Sequence, residues 1–408
     1  MMSANTLSLL EAAPDAESSG AIVSAAITVR SSHRLEDVED VWRRLEAQGV
    51  QSPGQSFDFV ALWVAAHGVA PADQVYLVAE IAGAPVALLA LQRRARLGLR
   101  VLSFFPGAHV GCNAPLVDAP RLAAMRPAER AQLWQAMLAE LRGVDLVHLR
   151  ALPEIGVDGV DLFAELGRSQ VTDTLYRASF TSWDEANVTQ RSKSRRKHDR
   201  QQGDKLEAMG TVTFEELRGT PDTLPVLELL FAQRAARFAE MGVSDPFTDR
   251  VVRSFYDATV AAGTRVDVRL HALRLDGEIV ALRYNIALGD RLFCLISSMS
   301  TAPALQPGSP GKQCLLRVMQ TVFDAGYRVF DMGAGLTDEK RHWCNVEIPV
   351  RTHYLALTPA GKAASTLHGG WLNLRRQIKS NPKLLAALKA VKSRLGPRKS
   401  VPGGQTCE

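Results

Sequence analysis

The chain has 408 residues, 46% of them hydrophobic and 22% charged, with a net charge of +5. That length allows two domains that each bury a core, and the composition excludes collagen-like and mostly disordered chains. The charge is uneven: residues 348–407 hold eleven Lys or Arg and no Asp or Glu, so the basicity belongs to the tail. Such a tail suits a phosphate-bearing or acidic-surface partner, or simple solvation.

Residues 1–25 are rich in Ala, Ser and acid without a period, and are expected to form a disordered lead-in. They lack a basic n-region and carry Glu11, Asp15 and Glu17, so no secretory leader is expected. No apolar run is long enough to span a bilayer. The five cysteines are scattered and form no CxxC pair, which indicates neither zinc nor a disulfide framework. A cytoplasmic protein is the expectation, with the basic tail free to meet the inner face of a membrane.

In chain order, "VYLVAEIAGAPVALLAL" (75–91) alternates around Gly83 and predicts a hairpin. "GVDLVHLRA" from Gly143 predicts a strand after an amphipathic helix. The basic run Arg191, Lys193, Arg195, Arg196, Lys197 and Arg200 reads as a helix face, either solvated or in contact with phosphate. A strand is predicted at 211–217, helices at 222–240 and 247–262, and a second hairpin at 266–275 and 278–288 around Gly277. A strand at 291–300, a Pro and Gly loop, a helix at 312–325, a strand at 328–332 and a last strand near 350–357 follow. Both hairpins read V-x-L-x-A, turn, G-x-x-V-A-L or close to it, and "GYRVFDMGA" from Gly326 echoes "GVDLVHLRA". Two matches in one order predict a duplicated architecture built on mixed sheets flanked by helices.

The loop "QPGSPG" (306–311) stands between a strand and a helix. Unpaired amides of a helix's first turn and its dipole can seat an anion there, with Gly311 allowing close approach, Pro310 fixing the entry and Lys312 adding a cation. An ordinary connection is the other reading. No Walker sequence, GxGxxG after a strand, GxSxG or HExxH is present.

The order of elements in the second copy resembles the GNAT acyltransferase fold, whose pyrophosphate loop reads Q/R-x-x-G-x-G/A. Gln306 to Gly311 fits except that Ser309 replaces the first glycine. "SPG" before a helix, then "AGYRVFDMGAG" and "DEKRHW", resembles the CelD-type acetyltransferase group of that superfamily, related in fold to FemAB ligases. Lys340 and Trp343 fit that pattern, and Glu339 stands where an aromatic often precedes the Lys. "QSFDFVALWVAAHG" and "LLFAQRAARFAEMG" extend the resemblance over most of the chain.

The resemblance implies an α/β protein of tandem GNAT-like domains with mixed, partly splayed sheets. These comprise an acceptor-side domain at 26–182, an acyl-CoA-binding domain at 183–365 and a basic helical tail at 366–408. Acetyl-CoA or another acyl-CoA, and no metal, would lie between strands 291–300 and 328–332, held by Gln306, Ser309, Pro310, Gly311, Lys312 and Ser298. Asp331 would act as base or orient the acceptor, or be structural; Lys340, Tyr284 and His271 are further candidates for the chemistry. Arg237, Trp343, Arg195 and Arg196 would bind substrate. His148 and Arg150 occupy the matching positions of the first copy, which has no SPG loop. The acceptor implied is a saccharide, or a nucleotide- or lipid-linked sugar, of exopolysaccharide or envelope synthesis, with no DNA partner. The alternatives are a FemAB-like transferase using aminoacyl-tRNA and a non-catalytic GNAT-like scaffold. The tail, with Trp371 and Leu374 before a Leu384, Leu385, Leu388 and Val391 stripe, suits a membrane surface, an anionic nucleotide or packing on the body.

Overall fold

The computed structural model describes residues 27–157 and 159–380. In chain order the strands are β1 (Ile27–Ser32), β2 (Gln74–Ile81), β3 (Ala84–Arg96), β4 (Leu99–Ser103), β5 (Leu116–Val117), β6 (Leu146–Pro153), β7 (Gly156–Val157), β8 (Val160–Asp161) and β9 (Arg168–Ser179). The second half adds β10 (Val212–Leu217), β11 (Val268–Leu275), β12 (Glu278–Leu288), β13 (Arg291–Met299), β14 (Val329–Ala334) and β15 (Val346–Ala356). The helices are α1 (Glu39–Glu46), α2 (Phe57–Ala66), α3 (Ala119–Ala124), α4 (Pro127–Ala139), α5 (Trp183–Thr189) and α6 (Lys193–Glu207). They continue with α7 (Thr223–Glu240), α8 (Arg250–Val260), α9 (Pro310–Asp324), α10 (Asp338–Trp343) and α11 (Pro359–Ser380).

Both hairpins form where the alternation places them. Their turns, Ala82-Gly83 and Asp276-Gly277, have positive φ at both central residues, the geometry that matches strand twist and that glycine adopts without strain. The expected 291–300 and 328–332 strands run 291–299 and 329–334, and the helix begins two residues early because Pro310 serves as its first residue.

All the strands but β7 and β8, which pair with each other, join one sheet in the order β1-β2-β3-β4-β6-β15-β9-β14-β13-β12-β11-β10, with β5 beside β3. The order is a pseudo-repeat: four antiparallel strands, a parallel step (β4 to β6, β13 to β14), then two shared strands. The closing strand of each half lies against the other half, β9 on β14 and β15 on β6, and the two pair with each other. The halves are therefore exchanged at their seam, which the internal repeat alone did not reveal.

On one face of the sheet α1 and α2 meet α7 and α8 in a single core. Phe255 packs edge-on to Phe59 and Trp63 across the halves at 5.0 Å. On the other face each half keeps its own core, around α4 in the first and α9 in the second.

Candidate functional site

The parallel steps are short. β13 and β14 pair only over Arg291–Phe293 and Val329–Asp331, then part, although β13 runs on to Met299. The ladder from Cys294 to Met299 is bonded to β12 on one side, and beyond Phe293 no described strand takes its other edge. An N–H and C=O edge of this kind is a ready surface for an extended ligand. In the first half β4 and β6 also part after two pairs. There the chain itself returns along β6: Asn113 N–H donates to Ala151 C=O at 3.0 Å, and the Asn113 amide donates to Gly107 C=O. After Met299 the chain instead turns away onto α6, where the Gln202 amide donates to Ser309 Oγ at 2.6 Å.

Asp331 lies at the apex of the splay and is 3% exposed. Its Oδ2 accepts from Arg177 Nε at 2.7 Å and its Oδ1 from the Gly333 N–H at 2.8 Å. Arg177 also donates to the side-chain and main-chain oxygens of Gln51, and Arg291 donates to that same Gln51 Oε1 at 3.0 Å. The Cys112 thiol donates to Gln51 C=O, and burial pushes its pKa up to about 12, so it stays protonated. One carboxylate thus ties together β14, the exchanged strand β9 and the first-half loop at Gln51. The geometry is that of a clasp, the structural role weighed for Asp331, with one oxygen bonded to Arg177 and the other to Gly333. The loop before β5 closes in as well: a Cβ on Gly111 would sit 2.9 Å from Gly333 Cα.

Lys340 is 8% exposed and spends its three donors on the carbonyls of Gly333, Ala334 and Gly335 at 3.1, 2.7 and 2.7 Å. Burial pushes its pKa down, and the carbonyls supply the compensation that keeps a buried ammonium tolerable. It pins the end of β14 away from β13 and has no donor left for an acceptor phosphate.

The loop before α9 is shaped differently from a bare anion nest. Ser309, in the left-handed region at φ 47°, offers its carbonyl to the Lys312 and Gln313 amides, and Pro310 has none. A Cβ on Gly311 would lie 2.9 Å from Met299 Sδ, so this glycine lets the helix start close to the strand end. Gln306 folds back on the Ser300 and Ala302 carbonyls. The helix start also faces acid: α10 brings Asp338 to 3.7 Å from Lys312 and Glu339 to 3.0 Å from Arg283. Arg283 itself donates to Gly311 C=O at 3.3 Å. Burial opposes the charge on Arg283, but the Glu339 carboxylate outweighs it and holds the pKa above its ordinary value.

Other expected site residues lie elsewhere. Tyr284 is fully buried on the α8 side, its hydroxyl 2.6 Å from Thr259 Oγ1 and its pKa pushed up by burial; an enclosed phenol cannot serve a ligand in the gap. Trp343 is 5% exposed, stacks on Trp183 and carries the Arg191 guanidinium on its face, so it is a core residue. Arg195 pairs with Asp199 at 3.1 Å, and Arg196 donates to the Asn187 and Arg191 carbonyls. Ser298 donates to Gln233 Oε1 at 2.9 Å, Arg237 is exposed on α7, and His271 is buried against Asn285 and Glu216. Arg177, Gln51, Arg283 and Arg291 were missed. A lone Arg inside the apolar runs "TLYRASF" and "VALRYNI" is the signal, because a charge in such a strand needs a buried partner.

Two imidazoles near these features are held neutral. Burial pushes His148, stacked on Tyr354 at 5.1 Å, down to about 3 and His109 down to about 4. Unfolded imidazoles titrate at ~6.5, so between there and the folded values the unfolded chain binds more protons and stability is lost as the pH is lowered. Urea midpoints should hold steady above about pH 6.5 and decline progressively toward pH 4. His148→Phe should flatten that decline; an unchanged slope would assign the acid sensitivity to other groups.

Residues 193–341 match a family model described as acetyltransferase (GNAT) domain. The matched segment lies in the second half of the splayed, duplicated sheet and gives that half the class of a GNAT-type acetyltransferase domain. No curated protein matches the chain. Among solved structures, FemX is 12% identical over 75% of this chain and 92% of its own, with a TM-score of 0.51. A tandem GNAT protein from the clavulanic acid biosynthesis pathway is 13% identical over 82% and 99%, at 0.42. L-PGS from Bacillus licheniformis is 12% identical over 72% and 90%, at 0.44. At 12% identity the likeness to FemX speaks to the fold alone.

Proposed function

We propose that the chain transfers an acyl group, acetyl in the simplest case, from acyl-CoA to an amino or hydroxyl group of a sugar in exopolysaccharide or envelope synthesis. The observation that carries the donor half of this reading is the free edge of β13 facing β14 across the splay. A pantetheine arm, an extended chain with two amides, suits such an edge. The donor phosphates would lie toward the start of α9, by Gln306, Ser309, Pro310, Gly311 and Lys312. The second half, 183–365, would hold the donor; the first half, whose own gap is filled by residues 104–113, would shape the acceptor side. Asp331 would act on the reaction as a positioning residue through Gly333 and Arg177, and Arg237 is the exposed cation for an acceptor. The sugar acceptor and a cytoplasmic location rest on the CelD-type resemblance. Calorimetric titration with acetyl-CoA is the direct test: absence of binding removes the reading.

Asp338 and Glu339 beside the start of α9 give the aminoacyl-tRNA alternative its one specific support, since carboxylates there compete with a pyrophosphate. Under the acyl-CoA reading, donor phosphates displace Asp338 from Lys312. Asp338→Asn should therefore tighten acetyl-CoA binding by about threefold, roughly 0.3–1 kcal/mol for a charge at a helix start. Unchanged affinity would place the phosphates elsewhere, and binding of charged tRNA without CoA binding would select the alternative.

A further inference from the structure

Helix α11 is fastened to the body by its small and polar residues. A Cβ on Gly361 would meet the Asp145 carbonyl oxygen, and Thr358 Oγ1 both donates to the Asp145 carboxylate at 3.1 Å and accepts from the Gly361 N–H. Farther along, His368 Nδ1 lies 2.7 Å from the Tyr354 hydroxyl, and Gly369 passes close to the Gln170 side chain. The opposite face carries Leu367, Trp371 and Leu374, which are 75%, 43% and 55% exposed. Their spacing of four and three residues puts them on one stripe. Arg375 lies over the Trp371 ring at 5.3 Å.

We propose that this face of α11 docks on an anionic lipid surface. Three exposed large apolar side chains in one row are an arrangement a water-facing helix avoids. The charge chooses the occupant. The helix has no acidic residue, and the chain after it adds Lys383, Lys389, Lys392, Arg394, Arg398 and Lys399 before its first acid at Glu408. An apolar stripe with a Trp, on a helix free of acid and followed in sequence by cations, is what an anionic bilayer interface takes up. A second copy would bring two basic helices face to face, which like-charge repulsion disfavours. The docking face also has a bearing on the cleft: Gly369 packs by Gln170 of β9, and Gly335, at the open end of the splay, packs by Asp173 of the same strand. Docking would hold the mouth of the gap near the headgroups, where a lipid-linked acceptor would be presented.

Cosedimentation of the full chain with phosphatidylglycerol-containing vesicles tests this, with pure phosphatidylcholine vesicles as the control. Binding should occur to the anionic vesicles, weaken as salt rises, and fall at least tenfold in the triple variant Leu367→Glu, Trp371→Glu, Leu374→Glu. The expected companion signal is a blue shift of tryptophan emission lost in Trp371→Phe. Trp371 also stacks on His368, so the double variant Leu367→Glu, Leu374→Glu, confined to the solvent side, should keep the parent melting temperature and lose binding in the same direction. Failure to bind anionic vesicles, equal binding to both vesicle types, or full binding by the triple variant would overturn the proposal. So would a concentration-dependent dimer that the triple variant abolishes, since that would make a second copy the occupant.

Discussion

Replacing Arg177 with Met should destabilise the protein by about 3–5 kcal/mol, the cost of leaving a buried carboxylate without its counter-charge. Asp331 and Arg177 are 4% and 6% exposed at their side chains and 2.7 Å apart, so water cannot take over from the lost guanidinium. The substitution also strips two donors from Gln51. Arg291, which shares Gln51 Oε1, is a nearby cation that could lean toward Asp331, and its help would bring the loss to the lower end of the range. Because β9 and β15 cross the seam, the halves should still unfold in one transition, read by urea denaturation with fluorescence and circular dichroism together. The double variant Arg177→Met, Asp331→Leu should recover much of the stability, since removing both charges removes the unpaired one. A single variant within about 1 kcal/mol of the parent would mean that the pair is solvated in solution.

The same pair separates two roles for Asp331. A general base needs a lone pair directed at the nucleophile's proton. Here one oxygen is bonded to Arg177 and the other to the Gly333 amide. Asp331→Asn keeps the shape and can still accept from Gly333, so activity lost in proportion to stability would mark a clasp.

Much of this was legible in the sequence because it depended on local rules. Alternation around a Gly turn fixes a hairpin, and the pattern Leu315, Met319, Val322, Phe323 fixes the buried face of α9. The exchange of β9 and β15 was not legible: either strand could have closed its own half, and only the pairing of Val346 with Arg177 and Tyr354 with His148 decides it. The site split the same way. The Gly311 signal identified a helix start that does lie beside the splay, but the glycine is demanded by Met299 as much as by any anion. Lys340 and Trp343 match a motif whose residues here are packed and bonded. A short motif records which residues recur, while saturation of their donors depends on chain segments as distant as Gln51.

The largest loss of activity is expected from filling the gap rather than from removing a charged group. Ser297 is exposed on β13 beyond the last pair with β14, and its register opposite Arg283 puts it on the α9 and α10 side of the sheet. Ser297→Trp would place an indole where the proposed donor arm would pass, against the free edge. Stability should change by less than about 0.5 kcal/mol, as for a solvent-facing site with no bonded side chain. Acyl transfer should fall by roughly 100-fold or more, because a donor held even an ångström out of line forfeits most of the benefit of positioning. Ser297→Ala, which leaves the gap open, should stay within about threefold of the parent, the scatter of surface changes. Release of free CoA from acetyl-CoA with an amino-sugar acceptor gives the rate, and calorimetry gives donor affinity separately. If the Trp variant bound acetyl-CoA and turned over normally, the donor could not thread between β13 and β14, and the splay would have to be explained by Lys340 and the clasp alone.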